Sequence, residues 1–100
     1  MKKLKIDKID GYNYVLIEEF SQKIYIFSIE FYDMVESPKE NDFIYIHENL
    51  LDKNYPEYST DYCFGALNSD CGRDLIEDNQ DQIIIVVINH KKIYLQRLFG

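Results

Sequence analysis

The residues of this chain best suited to chemistry are its two cysteines, its two histidines and a run of carboxylates, and their spacing sets what each can do. Cys63 and Cys71 are separated by seven residues, whereas a zinc knuckle needs close cysteine pairs and four ligands. His47 and His90 lie far away in sequence, so only the fold could recruit them. Cys71 sits between Asp70 and Gly72, two residues from Arg73. A guanidinium lowers a thiol pKa, yet Asp70 and Asp74 oppose it, and nothing supplies the oriented base that a nucleophilic cysteine needs. Cys63, flanked by Tyr62 and Phe64, reads as a small buried hydrophobe.

The carboxylates Asp70, Asp74, Glu77, Asp78 and Asp81 invite a calcium reading. The EF-hand spacing is missing, however, and Gly72 is misplaced for it, so the run reads as a solvated acidic loop with Gly72 at a turn. Glu18 and Glu19 are adjacent, and neighbouring strand residues point to opposite faces, which rules out a general acid–base couple. There is no glycine-rich phosphate cradle and no Walker-type lysine. The expectation is a protein without catalysis, metal or cofactor.

Charge carries more information. The net charge is -7, but residues 9–81 hold 17 acids against four bases, a net of -13. Residues 1–8 and 82–100 hold one acid and seven bases, a net of +6. An acidic middle repels nucleic-acid phosphates and anionic lipid and attracts a basic partner. Tyr55, Tyr58 and Tyr62 cluster with Glu57 and Asp61, and tyrosine anchors interfaces while carboxylates steer a basic partner into register. The partner-binding candidates are therefore Tyr58, Tyr62, Asp70, Asp74, Glu77, Asp78 and Asp81. The competing reading packs these tyrosine rings over the mouth of a barrel.

The expected function is a protein-interaction module for a basic protein surface, with no direct nucleic acid and no membrane. It would serve as an inhibitor or immunity protein acting on a nucleic-acid-binding enzyme, or as an accessory regulator. The rival expectation is a small-molecule or metal-binding barrel with aromatic residues lining its mouth. Oligomeric state is left open.

Those residues must be positioned by strands. Nine tyrosines, six phenylalanines and many isoleucines favour β structure. "LKIDKID" alternates, Asp10-Gly11 is a turn dipeptide and Tyr12 to Glu18 resumes, which predicts a hairpin. "KIYIFSI" sets Ile24 and Ile26 against Tyr25 and Phe27 as a third strand. The spacing of Phe31, Met34 and Val35 predicts a short helical turn over 29–35, and Pro38 opens a loop. Phe43 to His47 is a fourth strand, and 50–60 reads as a connection with room for a turn of helix.

"DYCFGAL" is predicted as a fifth strand, bulged at Gly65. "IIIVVI" does not alternate, so it reads as a strand buried on both faces, guarded against aggregation by Asp81 and by Lys91-Lys92. "IYLQRLF" is the last strand, after a turn at Asn89-His90. The sum is one mostly-β domain over residues 1–100: a small antiparallel barrel or strongly bent sheet of the SH3/OB type, with about seven strands and one short helix. Met1-Lys2-Lys3 is followed by "LKIDKIDG" where a signal peptide needs an apolar run, and Ile83 to Ile88 is too short to span a bilayer. Two cysteines in such a chain read as thiols in a reducing cytoplasm.

Ile6-Asp7-Lys8-Ile9-Asp10-Gly11, then Tyr14-Val15-Leu16, then Pro38 to Phe43 with Asn41-Asp42 resemble a family of small bacterial proteins of unknown function. These open with an Ile-Asp-Arg-Ile-Glu-Gly-like strand and later turn through Pro-x-x-x-Gly-Asp-Val. The resemblance covers roughly the first half of the chain and implies a small-barrel topology. It brings no activity or site residues, and the chain departs from the pattern after about Asp52.

Overall fold

Alternation in the first thirty residues builds a three-stranded meander: β1 (Lys2–Asp10), β2 (Asn13–Glu18) and β3 (Ile24–Glu30). The structure, a computed structural model, describes residues 1–32, 34, 36–51, 57–63, 77 and 80–99. Gly11 turns β1 into β2 at a φ of 59°, a left-handed conformation that costs an L-residue side chain about 1–2 kcal/mol. An added Cβ there meets nothing within 4 Å. Gly11→Ala is thus expected to lower stability by about 1 kcal/mol through backbone strain alone, read as a drop of roughly 4–8 °C in a thermal melt.

Within β1 the ladder shifts between Ile6 and Lys8. Ile6 and Ile9 are three apart and would face opposite sides of a regular strand. The bulge places an extra residue between them, so Ile6 is fully buried and Ile9 still packs against the core. β3 resolves its own alternation in favour of the larger rings: Tyr25 and Phe27 are buried, while Ile24 and Ile26 are 59% and 44% exposed.

The remaining elements are β4 (Phe43–Ile46), α1 (Glu48–Leu51), β5 (Glu57–Cys63), a single 3-10 turn (Gln80–Gln82), β6 (Ile83–Ile88) and β7 (Lys92–Phe99). The strands close a barrel in the order β1-β2-β3-β5-β7-β6-β4, with β4 returning to β1. Six of these pairings are antiparallel and the seventh, β3 with β5, is parallel. The fold is mostly β: among the described residues it is a small barrel of seven strands with one short helix described over its whole length, Glu48–Leu51. Its one departure from an all-antiparallel ring is that β3–β5 seam.

The seam is stitched by a side chain. Thr60, 1% exposed, accepts a hydrogen bond from the Tyr32 N–H at 2.8 Å and donates to the Glu30 carbonyl at 3.5 Å. That holds the exit of β3 against β5.

Three sequence expectations need correction. Among the described residues the helical turn expected over 29–35 is not there: Ile29 and Glu30 continue β3, and Phe31, Tyr32 and Met34 follow without regular structure, while Val35 lies outside the described residues. Their apolar spacing comes instead from the chain crossing the barrel end, where Phe31 meets Tyr14 edge-on (5.6 Å between centroids) and Met34 packs on the core. The helix lies at Glu48–Leu51. The His47 carbonyl and Nδ1 accept from the N–H groups of Leu50 and Asn49, and Leu50 and Leu51 are buried.

The fifth strand begins at Glu57, not Asp61, because the parallel ladder to Ser28 starts there. From Ile84 on, "IIIVVI" does alternate in its burial: Ile84, Val86 and Ile88 are wholly buried and Ile83 nearly so, whereas Ile85 and Val87 are only partly buried on the outer face. A closed barrel covers only the inward side of each strand.

Candidate functional site

The registers bring two of the expected contact residues to one end of the barrel. Ser59 pairs with Phe99 and Ile83 pairs with Arg97. Tyr58 and Asp81 therefore flank the C-terminal end of β7, one on β5 and the other in the 3-10 turn before β6. Asp81 is exposed, with Oδ1 3.3 Å from Nε2 of His47. Glu77 is exposed as well. Tyr62 is placed on β5 by its backbone. Asp70, Asp74 and Asp78 lie outside the described residues, as do Tyr55, Gly65, Cys71, Gly72 and Arg73.

Tyr58 is half-buried, not a free contact residue. Its ring stands edge-on to Phe27, with centroids 6.0 Å apart and planes at 68°. Its hydroxyl is buried and has no hydrogen-bond partner among the described residues. Beside it, Glu57, Tyr58, Ser59 and Phe99 line an open depression of about 480 Å³. Phe99 is 43% exposed, and the Arg97 guanidinium carbon sits 5.1 Å from the centre of its ring. The rim thus offers carboxylates at Glu57 and Asp81 and an aromatic face at Phe99. Carboxylates make charge-assisted hydrogen bonds to lysine and arginine, and aromatic faces attract their cations.

The histidines are separated by the fold. His47 follows β4 beside the start of β6, while His90 lies in the turn after β6 and packs on Phe43 (ring centres 5.3 Å apart). The intervening strand keeps them roughly 17 Å apart at about 3.3 Å per residue, too far to share a metal ion. Among the described residues no group of three or more His, Cys, Asp or Glu is placed to hold one.

Two polar residues that sequence reasoning passed over are buried at structural positions. Gln96 is 0% exposed on β7, opposite Ile84, and neither its amide nitrogen nor its oxygen has a partner among the described residues. Asp42 is 4% exposed at the end of the 36–42 loop. Its carboxylate accepts from the Lys39 N–H at 2.8 Å and the Asn89 N–H at 2.9 Å. The signals for Asp42 in the sequence are its place in the Asn41-Asp42 turn of the resembling pattern and an acid directly before an apolar strand. Gln96 shows only as a polar residue inside "IYLQRLF".

Titration runs in one direction. Burial pushes the Tyr58 and Tyr14 hydroxyls up, and a hydrogen bond with Glu30 raises Tyr32. Hydrogen bonds to Glu18 and Glu36 raise Lys2 and Lys92. Each group holds its proton more tightly folded than unfolded. Its contribution is complete below the unfolded pKa of about 10 and is lost as pH rises through the folded value. Thermal melts should therefore show no loss from these groups up to about pH 10 and a falling midpoint above it.

Fold and rim together define a class no narrower than a small closed β-barrel with one parallel seam and a polar, aromatic rim. Compared with protein-family models, curated proteins and solved structures, the chain matches none. Among the described residues no helix is long and apolar enough to cross a membrane.

Proposed function

We propose that this chain is a non-enzymatic interaction module of the bacterial cytoplasm that docks a basic surface of another protein through its acidic middle. The observation that carries the reading is the uneven charge, -13 over residues 9–81 against +6 over the ends. The ring order is compatible with it: the strands formed by the two ends, β1 with β6 and β7, gather around β4, which leaves β2, β3 and β5 together on the other side of the ring. A basic, nucleic-acid-binding enzyme is the partner class such a surface suits, with inhibition by occupation of its phosphate-binding face. The bacterial setting rests on the resemblance of the first half, and the cytoplasm on the two thiols.

The test is affinity capture from host lysate at low and high salt, with the wild-type chain and a variant carrying Asp74→Asn, Glu77→Gln, Asp78→Asn and Asp81→Asn. Capture should be lost in the variant and should weaken as salt screens the charges. Undiminished capture by the variant would sink this assignment of the patch.

A second reading has its own observation, the buried Gln96 amide and the Tyr58 hydroxyl. Polar atoms in that state favour a small-molecule or metal-binding barrel, since a ligand would satisfy them. A thermal-shift screen of metal ions and small polar molecules separates the readings, because a ligand that binds only the native state raises the melting temperature. If Gln96 anchors a ligand, Gln96→Leu abolishes the shift. If it anchors none, Gln96→Leu leaves any shift intact and raises stability by about 1–3 kcal/mol by removing buried polar atoms that have no partner among the described residues.

A further inference from the structure

The depression beside the end of β7 is built from three outward positions held in register. Tyr58 turns inward onto Phe27, so Glu57 and Ser59 on either side of it face outward, roughly 7 Å apart along the strand. Ser59 pairs across the ladder with Phe99. Leu98 beside it is buried, so the Phe99 ring stands on the same outer face. Together these residues line a space of about 480 Å³, with a carboxylate at one end and a hydroxyl beside an aromatic wall at the other. Glu57 is exposed and takes part in no ion pair among the described residues.

We infer that this depression anchors a single arginine side chain on the basic surface of the partner, an inference that rests on the proposed function and narrows it to one contact. Arg97 shows the ring already taking a guanidinium, 5.1 Å from its centre. Thr60 pairs with Leu98 as Ser59 does with Phe99, so β7 runs back from Phe99 to Arg97 in the direction away from Glu57. The Glu57 side of the ring is left to an incoming cation. Arg97 lies about four residues, roughly 13 Å, from Glu57 along the strands, beyond the Debye length of about 8 Å at physiological salt.

The chemistry of the lining selects arginine over lysine. A guanidinium is planar, so it stacks on Phe99 while its fork of N–H donors reaches the Glu57 carboxylate, and the Ser59 hydroxyl accepts a further one. It is also more weakly hydrated than an ammonium and loses less on leaving water for a partly aromatic wall. Lysine brings a compact, strongly hydrated charge that meets the carboxylate but does not stack. The depression is open and carries one carboxylate, so an isolated arginine peptide binds weakly, with a dissociation constant on the order of 1 mM. On a whole partner this contact fixes where the basic face sits.

The test is an amide NMR titration of the whole isotope-labelled chain with hexa-arginine and, separately, hexa-lysine at the same ionic strength. Hexa-arginine should shift Glu57, Tyr58, Ser59 and Phe99 most and bind several-fold tighter than hexa-lysine. Glu57→Gln should weaken it about tenfold, and Phe99→Leu should erase the preference for arginine. Both positions are exposed, so the melting temperature is retained. Shifts centred elsewhere, equal binding of the two peptides, or an unaffected Glu57→Gln would each overturn the anchor. Spermine bound in the depression as tightly as hexa-arginine would overturn it in favour of a free polyamine. Lysate capture separates the anchor from the acidic-patch reading. Capture lost in the fourfold acidic variant but undiminished in Glu57→Gln and Phe99→Leu keeps that reading and overturns the anchor. Hexa-arginine bound at Glu57, with capture undiminished in the fourfold variant, does the reverse.

Discussion

Asp42→Ala is expected to cost about 3–5 kcal/mol, from the loss of two hydrogen bonds to a charged group at about 1.5–3 kcal/mol each, the largest effect of any polar substitution considered for this chain. Three segments converge on Asp42, two of them through its carboxylate and β1 through the backbone. The Asp42 backbone carbonyl accepts from the Ile6 N–H at 2.9 Å, and the neighbouring Asn41 N–H donates to the Ile6 carbonyl at 2.8 Å, so the loop is laddered to β1. The side chain then holds the loop's own Lys39 N–H and the Asn89 N–H of the β6–β7 turn. Alanine leaves both of these N–H groups without their acceptor.

The turn depends on that anchor. Asn89 and His90 both take left-handed backbone angles, at φ of 53° and 58°, a pairing suited to a tight hairpin but strained for non-glycine residues. For a domain of this size the loss corresponds to roughly 15–30 °C in melting temperature. Asp42→Asn keeps one acceptor oxygen and should fall between wild type and alanine. Denaturant titration measures all three, and an alanine variant within 1 kcal/mol of wild type would disprove the anchoring role.

Phe27→Ala should cost about 3–5 kcal/mol, the usual range for emptying a buried phenylalanine site. Phe27 is 1% exposed within the core and lies opposite Tyr14 on β2, with Tyr58 edge-on from β5. It therefore joins the meander to the parallel seam through packing alone. The informative control is its neighbour. Ile26→Ala, one residue away on the outer face, should cost markedly less, about 1 kcal/mol, since its side chain is already 44% exposed and leaves no enclosed cavity. Equal losses at the two positions would mean that β3 presents the other face to the core.

How much of this could be read from the sequence depended on whether neighbouring residues competed for the same face. Leu4 and Ile6 against Lys5 had no competitor, and β1 formed as expected up to its bulge. Ile24 to Phe27 offered apolar side chains to both faces, so alternation gave the strand but not its orientation; the ring volumes decided it. Phe31 and Met34 mimicked helical spacing because a chain passing over a barrel end also meets the core at intervals. The helix at Glu48–Leu51 was hidden by its length, and its start is capped by a histidine, which is not among the usual capping residues.

The parallel seam left no trace, because strand direction depends on the path of the chain between elements and not on local pattern. Of the contact candidates, the exposure of Asp81 and Glu77 was legible from charge. Tyr58 was legible only as two alternatives, an interface anchor or a ring packed over the barrel mouth, because a tyrosine serves equally as either; its edge-on contact with Phe27 fits the second.

The parallel pairing of β3 with β5 also orders events in time. β1, β2 and β3 are joined by short turns and can zip locally, whereas Ser28 must wait for Glu57, 29 positions away. Bringing such distant points together costs roughly 3 kcal/mol of chain entropy from the logarithmic term for a loop of that length. Among the described residues only three pairs return that cost along the ladder, helped by Thr60. The ring is therefore expected to close at this seam only after the meander has formed. In that open moment the last strand of the meander becomes an unpaired edge, able to recruit a strand from another chain before its own arrives.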